Sequence, residues 1–256
     1  MKIVKCSEHP FFPTIRITKK CTQQCQHCCF ACSPHETAMM TPLVANKVHQ
    51  FLRSNQITMI NIMGGEFWLN PDWEFLITLL SQEISVVRMV TNGDFMGNTK
   101  AKARVRTYFT HHPTLVLSIS KDQYHTNRFV SQATQFCVEN HIPYTLETQN
   151  LTQDTIVPVG RGQLYSGFYA SLACYCYREP RCGECFMIDE IGGIYRCPFG
   201  IWDFDEIYSF LEGGFKARWE EFIRAFRLSH IMSCDQCNRV HNNVLSRQQK
   251  ECQKEA

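Results

Sequence analysis

Short runs rich in β-branched residues alternate with amphipathic runs of helical length between residue 14 and about residue 160. The extended runs lie at 14–18, 58–63, 86–91, 115–119, 144–147 and 156–159, and the helical runs at 42–54, 70–80, 98–110 and 126–140. Consecutive parallel strands need such crossovers, because a tight turn can join only antiparallel strands. The alternation therefore predicts an α/β fold with a parallel sheet, and six strands suit a partial or complete barrel of the TIM type.

The active site of such a barrel lies at the carboxyl ends of its strands, where the following loops meet. The loops at these ends contain a group of cysteines after the first strand, Gly64-Gly65-Glu66, Asn92-Gly93-Asp94, residues 118–124 and residues 160–162. We expect these loops to carry the chemistry of the protein.

Cysteine is unusually frequent, with 15 residues in a chain of 256. The N-terminus lacks the apolar stretch of a secretory signal, and no apolar run approaches the roughly 20 residues of a membrane span. We therefore expect a cytoplasmic protein, in which dense cysteines indicate metal or redox chemistry rather than disulfides. The net charge of +2, without a basic tract, gives no support to nucleic-acid binding.

The first cysteine group has the spacing CxxxCxxC, formed by Cys21, Cys25 and Cys28. Three thiolates can hold three irons of a four-iron cluster and leave the fourth iron open to another ligand. Zinc is the alternative, because His27 could serve as a fourth ligand beside the three thiols. Cys29 lies outside the pattern, as does Cys32, and we interpret both as loop or packing cysteines.

The combination of CxxxCxxC after the first strand with Gly-Gly-Glu after the second resembles the radical S-adenosylmethionine (SAM) superfamily. The resemblance implies a partial (β/α)6 barrel in which Cys21, Cys25 and Cys28 ligate a [4Fe–4S] cluster. In that family the open iron binds the methionine part of SAM. An electron from the cluster then cleaves SAM to a 5′-deoxyadenosyl radical, which abstracts hydrogen from the substrate.

The same resemblance implies roles for residues in the other loops. Gly64, Gly65 and Glu66 would contact the methionine amine of SAM, and His27 would touch adenine through its backbone. Further SAM contacts would come from Asn92, Ser118, Ser120 and Val159. The electron would come from a donor such as flavodoxin or ferredoxin.

A second group of cysteines follows residue 168, where we place the boundary between a barrel domain (1–168) and a second domain (169–256). Residues 186–198 read as a β-hairpin around Gly192-Gly193, and an amphipathic helical run follows at 215–230. The cysteines around these elements are Cys182, Cys185, Cys197, Cys234 and Cys237. Hairpin and helix CxxC pairs also occur in zinc ribbons, so zinc is an alternative here as well.

This second spacing resembles the SPASM/Twitch domain that follows some radical SAM barrels, and it implies an auxiliary [4Fe–4S] cluster. Two ligand sets are open. Cys182, Cys197, Cys234 and Cys237 would close the cluster with four thiolates. Cys182, Cys185 and Cys197 would instead leave one iron open to substrate. We favour the closed arrangement.

These features predict a radical SAM enzyme that oxidises or rearranges a small molecule or nucleotide with help from the auxiliary cluster. The alternatives are a maturase of ribosomally made peptides and a non-enzymatic zinc-binding module. Tyr124 and His125 follow the fourth strand and Arg161 follows the sixth, so we expect all three at the barrel mouth. There His125 could move a proton and Arg161 could hold a carboxylate or phosphate.

Overall fold

The computed structural model describes residues 13–148, 187–195 and 203–206. Its strands are β1 (Thr14–Arg16), β2 (Met59–Met63), β3 (Val86–Thr91), β4 (Leu115–Lys121), β5 (Tyr144–Thr148), β6 (Met187–Ile188), β7 (Gly193–Tyr195) and β8 (Asp203–Glu206). Its helices are α1 (Pro42–Ser54), α2 (Trp73–Leu80), α3 (Thr99–His111) and α4 (Val130–Glu139). Strands and helices alternate from β1 to β5, which confirms the predicted α/β architecture.

The strands form one sheet in the order β5-β4-β3-β2-β1-β6-β7-β8. Pairing is parallel from β5 through β1 to β6, and each of the four helices connects two neighbouring parallel strands. Sequential parallel strands joined by helices are the connectivity of a TIM-type barrel. The predicted sixth strand of the barrel, at 156–159, lies outside the described residues.

The helices cover one face of the sheet, and alternate strand residues face them. Ile15, Ile60 and Leu117 are fully buried in this core together with Phe51 of α1 and Trp73 of α2. Because side chains alternate along a strand, the neighbouring residues point to the opposite face. The strand positions with this opposite orientation include the polar residues Arg16, Asn61, Arg88, Ser118 and Glu147. The sheet therefore presents a polar face beside its carboxyl-end loops.

The predicted hairpin is present in β6 and β7, which pair antiparallel across a turn containing Gly192 with φ +91°. Its first strand also pairs in parallel with β1, with Thr14 opposite Met187 and Ile15 opposite Ile188. The hairpin thus extends the barrel sheet, a connection that the sequence did not predict. The five cysteines of the second group lie outside the described residues.

Helix α4 begins four residues later than predicted, at Val130 instead of 126. The preceding residues form a loop, in which Asn127 has φ 52° and Thr126 donates its backbone N–H to Gln23. A tertiary contact and not helical propensity therefore determines their conformation. Helices α1 and α3 begin with side-chain caps. The Thr41 side chain accepts a hydrogen bond from the N–H of Val44, and the Asn98 side chain accepts one from the N–H of Ala101. No helix among the described residues combines the length and hydropathy needed to cross a bilayer.

Candidate active site

The loop that follows β1 carries the first cysteine group and closes on itself. The backbone N–H of Cys21 donates to the carbonyl of Ser33 at 3.0 Å, and the N–H of Ser33 donates to the carbonyl of Lys19 at 3.3 Å. Within the loop, the N–H of Cys28 donates to the carbonyl of Cys25 at 3.2 Å, which forms a turn. The loop therefore holds the cysteine motif at the carboxyl end of β1, as the barrel architecture predicts.

The three motif thiols are near enough to influence one another but are not packed around a single point. Burial, the Glu66 carboxylate and the thiols of Cys25 and Cys28 together raise the pKa of Cys21 to about 12. Among the described residues, no three thiols have all their sulfur atoms within 4.8 Å of one another. The three sulfur atoms are thus not all as close as the roughly 3.8 Å that separates thiolates around one zinc ion.

Cys32 lies directly beside this group. It is 1% exposed and packs with Phe30 and Met187 of the hairpin. A hydrogen bond with Cys28 raises the pKa of Cys32, and its burial does so too. Cys32 is therefore packed against the hairpin, and its contact with a motif thiol was not predicted.

Gly64 and Gly65 let the segment after β2 lie against the base of the cysteine loop. The N–H of Gly65 donates to the carbonyl of Thr18 and that of Glu66 to the carbonyl of Lys20, both at 2.9 Å. A Cβ atom on Gly65 would lie 1.8 Å from the Lys20 carbonyl oxygen, and Gly64 has φ +127°. Only glycine fits at either position, so the Gly-Gly-Glu motif and the cysteine loop are placed side by side.

The Glu66 carboxylate joins the second and third loops of the barrel. It accepts hydrogen bonds from the N–H of Asn92 at 2.7 Å, the hydroxyl of Thr91 at 2.6 Å and the indole N–H of Trp68 at 3.1 Å. It is only 3% exposed. Burial raises the pKa of Glu66 to about 7, although these hydrogen bonds lower it.

Asn92 continues this connection to the cysteine loop. Its Nδ2 donates to the hydroxyl of Thr22 at 3.1 Å and lies 4.0 Å from the sulfur of Cys21. The backbone N–H of Asp94 donates to its Oδ1 at 2.9 Å. The residue that the sequence placed at the SAM site therefore lies in contact with the cysteine motif.

Three aromatic rings meet around Asp122 in the loop after β4. His125 Nδ1 lies 2.7 Å and His27 Nε2 3.5 Å from Asp122 Oδ2, and the His27 ring contacts the rings of Tyr124 and His125. Burial alone would lower the pKa of His125, but its hydrogen bonds to Asp122 and Cys25 raise it to about 10. The structure thus brings His27, Tyr124 and His125 together beside the cysteine loop.

The ligating atoms of His27, Asp122 and His125 all lie within 4.8 Å of one another, a distance that a metal ion could bridge. The 2.7 Å separation of His125 Nδ1 and Asp122 Oδ2 is that of a charge-assisted hydrogen bond. Burial raises the pKa of Asp122, but its interactions with His125 and His27 lower it, and the net result is a lowered pKa. An ionised Asp122 fits this role as the partner of His125. We therefore interpret the group as a hydrogen-bonded one.

The polar sheet face holds a second network. Arg88 Nη2 lies 2.8 Å from Glu147 Oε1, and the same carboxylate oxygen accepts from the hydroxyl of Ser118 at 3.2 Å. Ser118 is fully buried and also accepts from Thr145 at 3.0 Å. Ser120 faces the same way one pair further along the strands. Val159 and Arg161 lie outside the described residues.

Arg16 connects β1 to the hairpin, a contact that the sequence did not predict. Its Nε donates to Glu190 Oε2 at 2.5 Å, and its Nη2 lies 3.8 Å from Asp189 Oδ2. The guanidinium also lies over the Phe30 ring, 5.5 Å from its centroid. Burial disfavours the charged form of Arg16, but the two carboxylates favour it, and the net result is a raised pKa of Arg16. The sequence signals that could have indicated this contact were an arginine at an alternating strand position and an acidic pair in a turn.

No model of a known protein family matches the chain. Two proteins of Bacillus subtilis (strain 168) are similar in sequence. YydG, named for peptide biosynthesis, is 30% identical over 138 residues, which cover 51% of this chain and 42% of YydG. AlbA, an antilisterial bacteriocin subtilosin biosynthesis protein, is 24% identical over 113 residues, 44% of this chain and 24% of AlbA. The matched part is less than half of either relative.

Among solved structures, that of BtrN in complex with AdoMet and 2-DOIA has a TM-score of 0.61 at 15% identity and covers 87% of both chains. Its fold is thus shared over most of this chain, whose CxxxCxxC and Gly-Gly-Glu motifs lie side by side at the carboxyl end of the sheet. In this fold and in these two motifs the chain resembles the radical SAM superfamily.

Sequence motifs found part of this candidate site and missed the contacts that join its loops. The motif cysteines, the Gly-Gly-Glu segment and Asn92 were all predicted, and the structure brings them together. Thr22 and Gln23 were not singled out, and Asp94 was named only as part of its loop. Their side chains nevertheless form hydrogen bonds between the cysteine loop and the loop after β3. Thr22 and Gln23 occupy variable positions of the CxxxC spacing, which carry no motif signal.

Proposed function

We propose that this chain is a radical SAM enzyme that modifies a peptide. The observation that carries the radical SAM chemistry is the convergence of the cysteine loop with Gly64, Gly65 and Glu66. The support for a peptide comes from the two sequence relatives, both of which are named for peptide or bacteriocin biosynthesis. From the sequence we favoured a small molecule or nucleotide as substrate, and these relatives favour the alternative.

Cys21, Cys25 and Cys28 would hold the [4Fe–4S] cluster through one thiolate each. When bound, the cluster supplies the electron for reductive cleavage of SAM to a 5′-deoxyadenosyl radical. The high pKa of Cys21 means that its thiol must lose a proton when metal binds, so cluster assembly should be favoured at alkaline pH. The hydrogen bond between His125 and Cys25 would help to orient that ligand.

The segment after β2 would bind the methionine part of SAM. The N–H groups of Gly65 and Glu66 are committed to Thr18 and Lys20, so an ammonium group would be received by carbonyl oxygens and by the Glu66 carboxylate. Asn92, Ser118, Ser120, His27 and Val159 would complete the SAM site. Glu66 holds the loop after β3 through Asn92, so the same carboxylate also sets the shape of the site.

His125, Tyr124 and Arg161 would act on the substrate at the barrel mouth. Asp122 holds Nδ1 of His125 and accepts from the backbone N–H groups of Tyr124 and His125 at 2.8 and 3.1 Å. The imidazole is thereby fixed in orientation, as a proton-transferring group requires. Arg161 would hold a carboxylate of the substrate.

The test combines anaerobic reconstitution with an assay of SAM cleavage. With dithionite as reductant, the protein should form 5′-deoxyadenosine. A peptide substrate should accelerate this formation, and the mass of the peptide itself should change. Suitable probes are synthetic peptides that correspond to short reading frames next to the gene. Acceleration by a metabolite extract freed of peptides, with no response to the peptides, would instead establish a small-molecule substrate. Purified protein that binds zinc and no iron would refute both.

We further propose an auxiliary [4Fe–4S] cluster in the second domain, closed by Cys182, Cys197, Cys234 and Cys237. About eight irons per chain would then be expected, because each cluster has four. In a background without the three motif cysteines, Cys237→Ala should lose the remaining iron and Cys185→Ala should keep it. The reverse result would identify Cys182, Cys185 and Cys197 as the ligands and leave an iron open to substrate.

A further inference from the structure

The side chain of Gln23 connects three loops of the site. Its Nε2 donates to Asp94 Oδ2 at 2.9 Å, in the loop after β3. Its Oε1 accepts from the backbone N–H of Thr126 at 3.1 Å, in the loop after β4, and lies 3.5 Å from the sulfur of Cys25. Gln23 is 8% exposed, so these contacts are shielded from water. One buried amide thus spans the loops after β1, β3 and β4.

Asp94 receives a second hydrogen bond from the cysteine loop. The hydroxyl of Thr22 donates to the same Oδ2 atom at 2.6 Å and accepts from Asn92 Nδ2 at 3.1 Å. Asn92 in turn donates its backbone N–H to Glu66. A continuous series of hydrogen bonds therefore runs from Glu66 of the Gly-Gly-Glu motif to the segment between Cys21 and Cys25.

We propose that Gln23 and Asp94 are positioning residues that hold the segment between Cys21 and Cys25 in the geometry needed for the cluster. This inference rests on the proposed function, because it assumes that the motif thiols bind iron. Two of the three residues between the thiols, Thr22 and Gln23, both donate to one carboxylate. That carboxylate holds two consecutive residues of the segment, and the backbone N–H of Thr126 holds Gln23 against the loop that carries Tyr124 and His125.

The contact between Gln23 and Asp94 can be broken and restored without a change in side-chain size. Gln23→Glu removes the donor and places a second carboxylate against Asp94, since the present distance is 2.9 Å. Adding Asp94→Asn supplies the missing donor from the other side: the new amide can donate to the carboxylate introduced at position 23 and to the Thr22 hydroxyl. The double variant also has the same net charge as the original protein. Asp94→Asn alone keeps an acceptor, so it should have a smaller effect.

Each variant is reconstituted anaerobically as the full chain at pH 8, where an exposed carboxyl is ionised. Iron per chain, the midpoint potential of the SAM-responsive cluster by EPR titration, and thermal unfolding before reconstitution are measured. Gln23→Glu should weaken retention of the cluster against a chelator by about tenfold or more, because it leaves buried charges unpaired. It should also lower the potential, because negative charge is added near Cys25. The double variant should recover both properties.

Gln24→Glu is the matched control, because it adds the same charge one residue along at an exposed position. It should retain iron like the original protein. Gln23→Glu that behaves like this control would overturn the inference, and so would a double variant as impaired as Gln23→Glu. An original protein that binds no iron would overturn the proposed function, and the inference with it. If the Gln23→Glu variant unfolds and the double variant is folded again, the result would still support the contact between positions 23 and 94.

Discussion

Arg16 in β1 and Glu190 in the hairpin turn form a buried ion pair although 174 residues separate them in the sequence. Their side chains are 10% and 6% exposed, and Asp189 lies beside them. The aliphatic part of the Arg16 side chain also lies beside Gly64, whose added Cβ would be 2.5 Å from Arg16 Cγ. One side chain of the strand that precedes the cysteine loop therefore contacts both the Gly-Gly-Glu segment and the hairpin.

Removal of one member of this pair should be costly. Arg16→Met leaves two carboxylates without their partner, so we expect a loss of about 3–5 kcal/mol in the free energy of unfolding, measured by chemical denaturation. Arg16→Met combined with Glu190→Leu should recover much of it. The control is Glu83→Gln, which breaks the exposed pair of Arg53 and Glu83 and should cost less than about 1 kcal/mol. Equal effects of Arg16→Met and Glu83→Gln would show that the buried pair contributes little.

Glu66 should make the stability of the metal-free protein depend on pH. Its pKa is about 7 in the folded protein against 4.5 ordinarily, so the folded state binds more protons between these values. The stability from this group is therefore complete below about pH 4.5 and is lost as pH rises through 7, by about 3 kcal/mol.

Denaturant titrations between pH 4.5 and 8 would test this dependence on Glu66. Glu66→Gln should remove the corresponding decline, because an amide does not titrate. Glu139→Gln, on the exposed side of α4, should retain it. A parallel decline in the Glu66→Gln variant and the original protein would show that other groups cause it.

Cys25 and Cys32 should differ sharply in importance. Cys25→Ala should abolish formation of 5′-deoxyadenosine with dithionite, because one iron loses its thiolate. Cys32→Ala should preserve both the cluster and the reaction and cost only about 1 kcal/mol of stability. If Cys32 were a fourth metal ligand, as in a zinc site, its replacement would release the metal, which metal analysis of the two variants would reveal.

Gly65→Ala should separate the Gly-Gly-Glu segment from the cysteine loop. The new methyl group would lie 1.8 Å from a backbone carbonyl oxygen, so the backbone itself must move. We expect a loss of about 1–3 kcal/mol in stability and failure to bind SAM, measured by thermal unfolding and equilibrium dialysis. Gly97→Ala meets the far end of the Phe129 ring, which can rotate, and should have the smaller effect. SAM binding by Gly65→Ala at the original affinity would contradict this view of the segment.

The sequence predicted the elements whose signals are local. Helix α1 was predicted with the bounds observed, because Pro42 marks its first turn and the apolar residues recur at helical spacing. The convergence of Cys21 with Glu66 followed from the rule that carboxyl-end loops meet. The pairing of β1 with β6 could not be predicted, since neither strand is longer than three residues and no local pattern relates them.

The same limit applies to the contacts within the site. Gln23 and Thr126 meet through one side-chain oxygen and one backbone N–H, and neither residue type is distinctive at its position. Their contact depends on how the loops after β1 and β4 are placed in space. That placement is a property of the packed sheet, whereas the motifs report only the order of residues along the chain.

Because β1 lies between β2 and β6, its two edges can pair only at different times during synthesis. One side of β1 can pair as soon as β2 emerges from the ribosome, but the other waits for Met187 and Ile188. At elongation rates of about 5–20 residues per second, that interval lasts roughly 6–25 s. Throughout it, the strand that leads into the cysteine loop has an unpaired edge, and Arg16 lacks its carboxylates. Among the described strands, this edge of the site can therefore pair only after β1–β5 have all been synthesised.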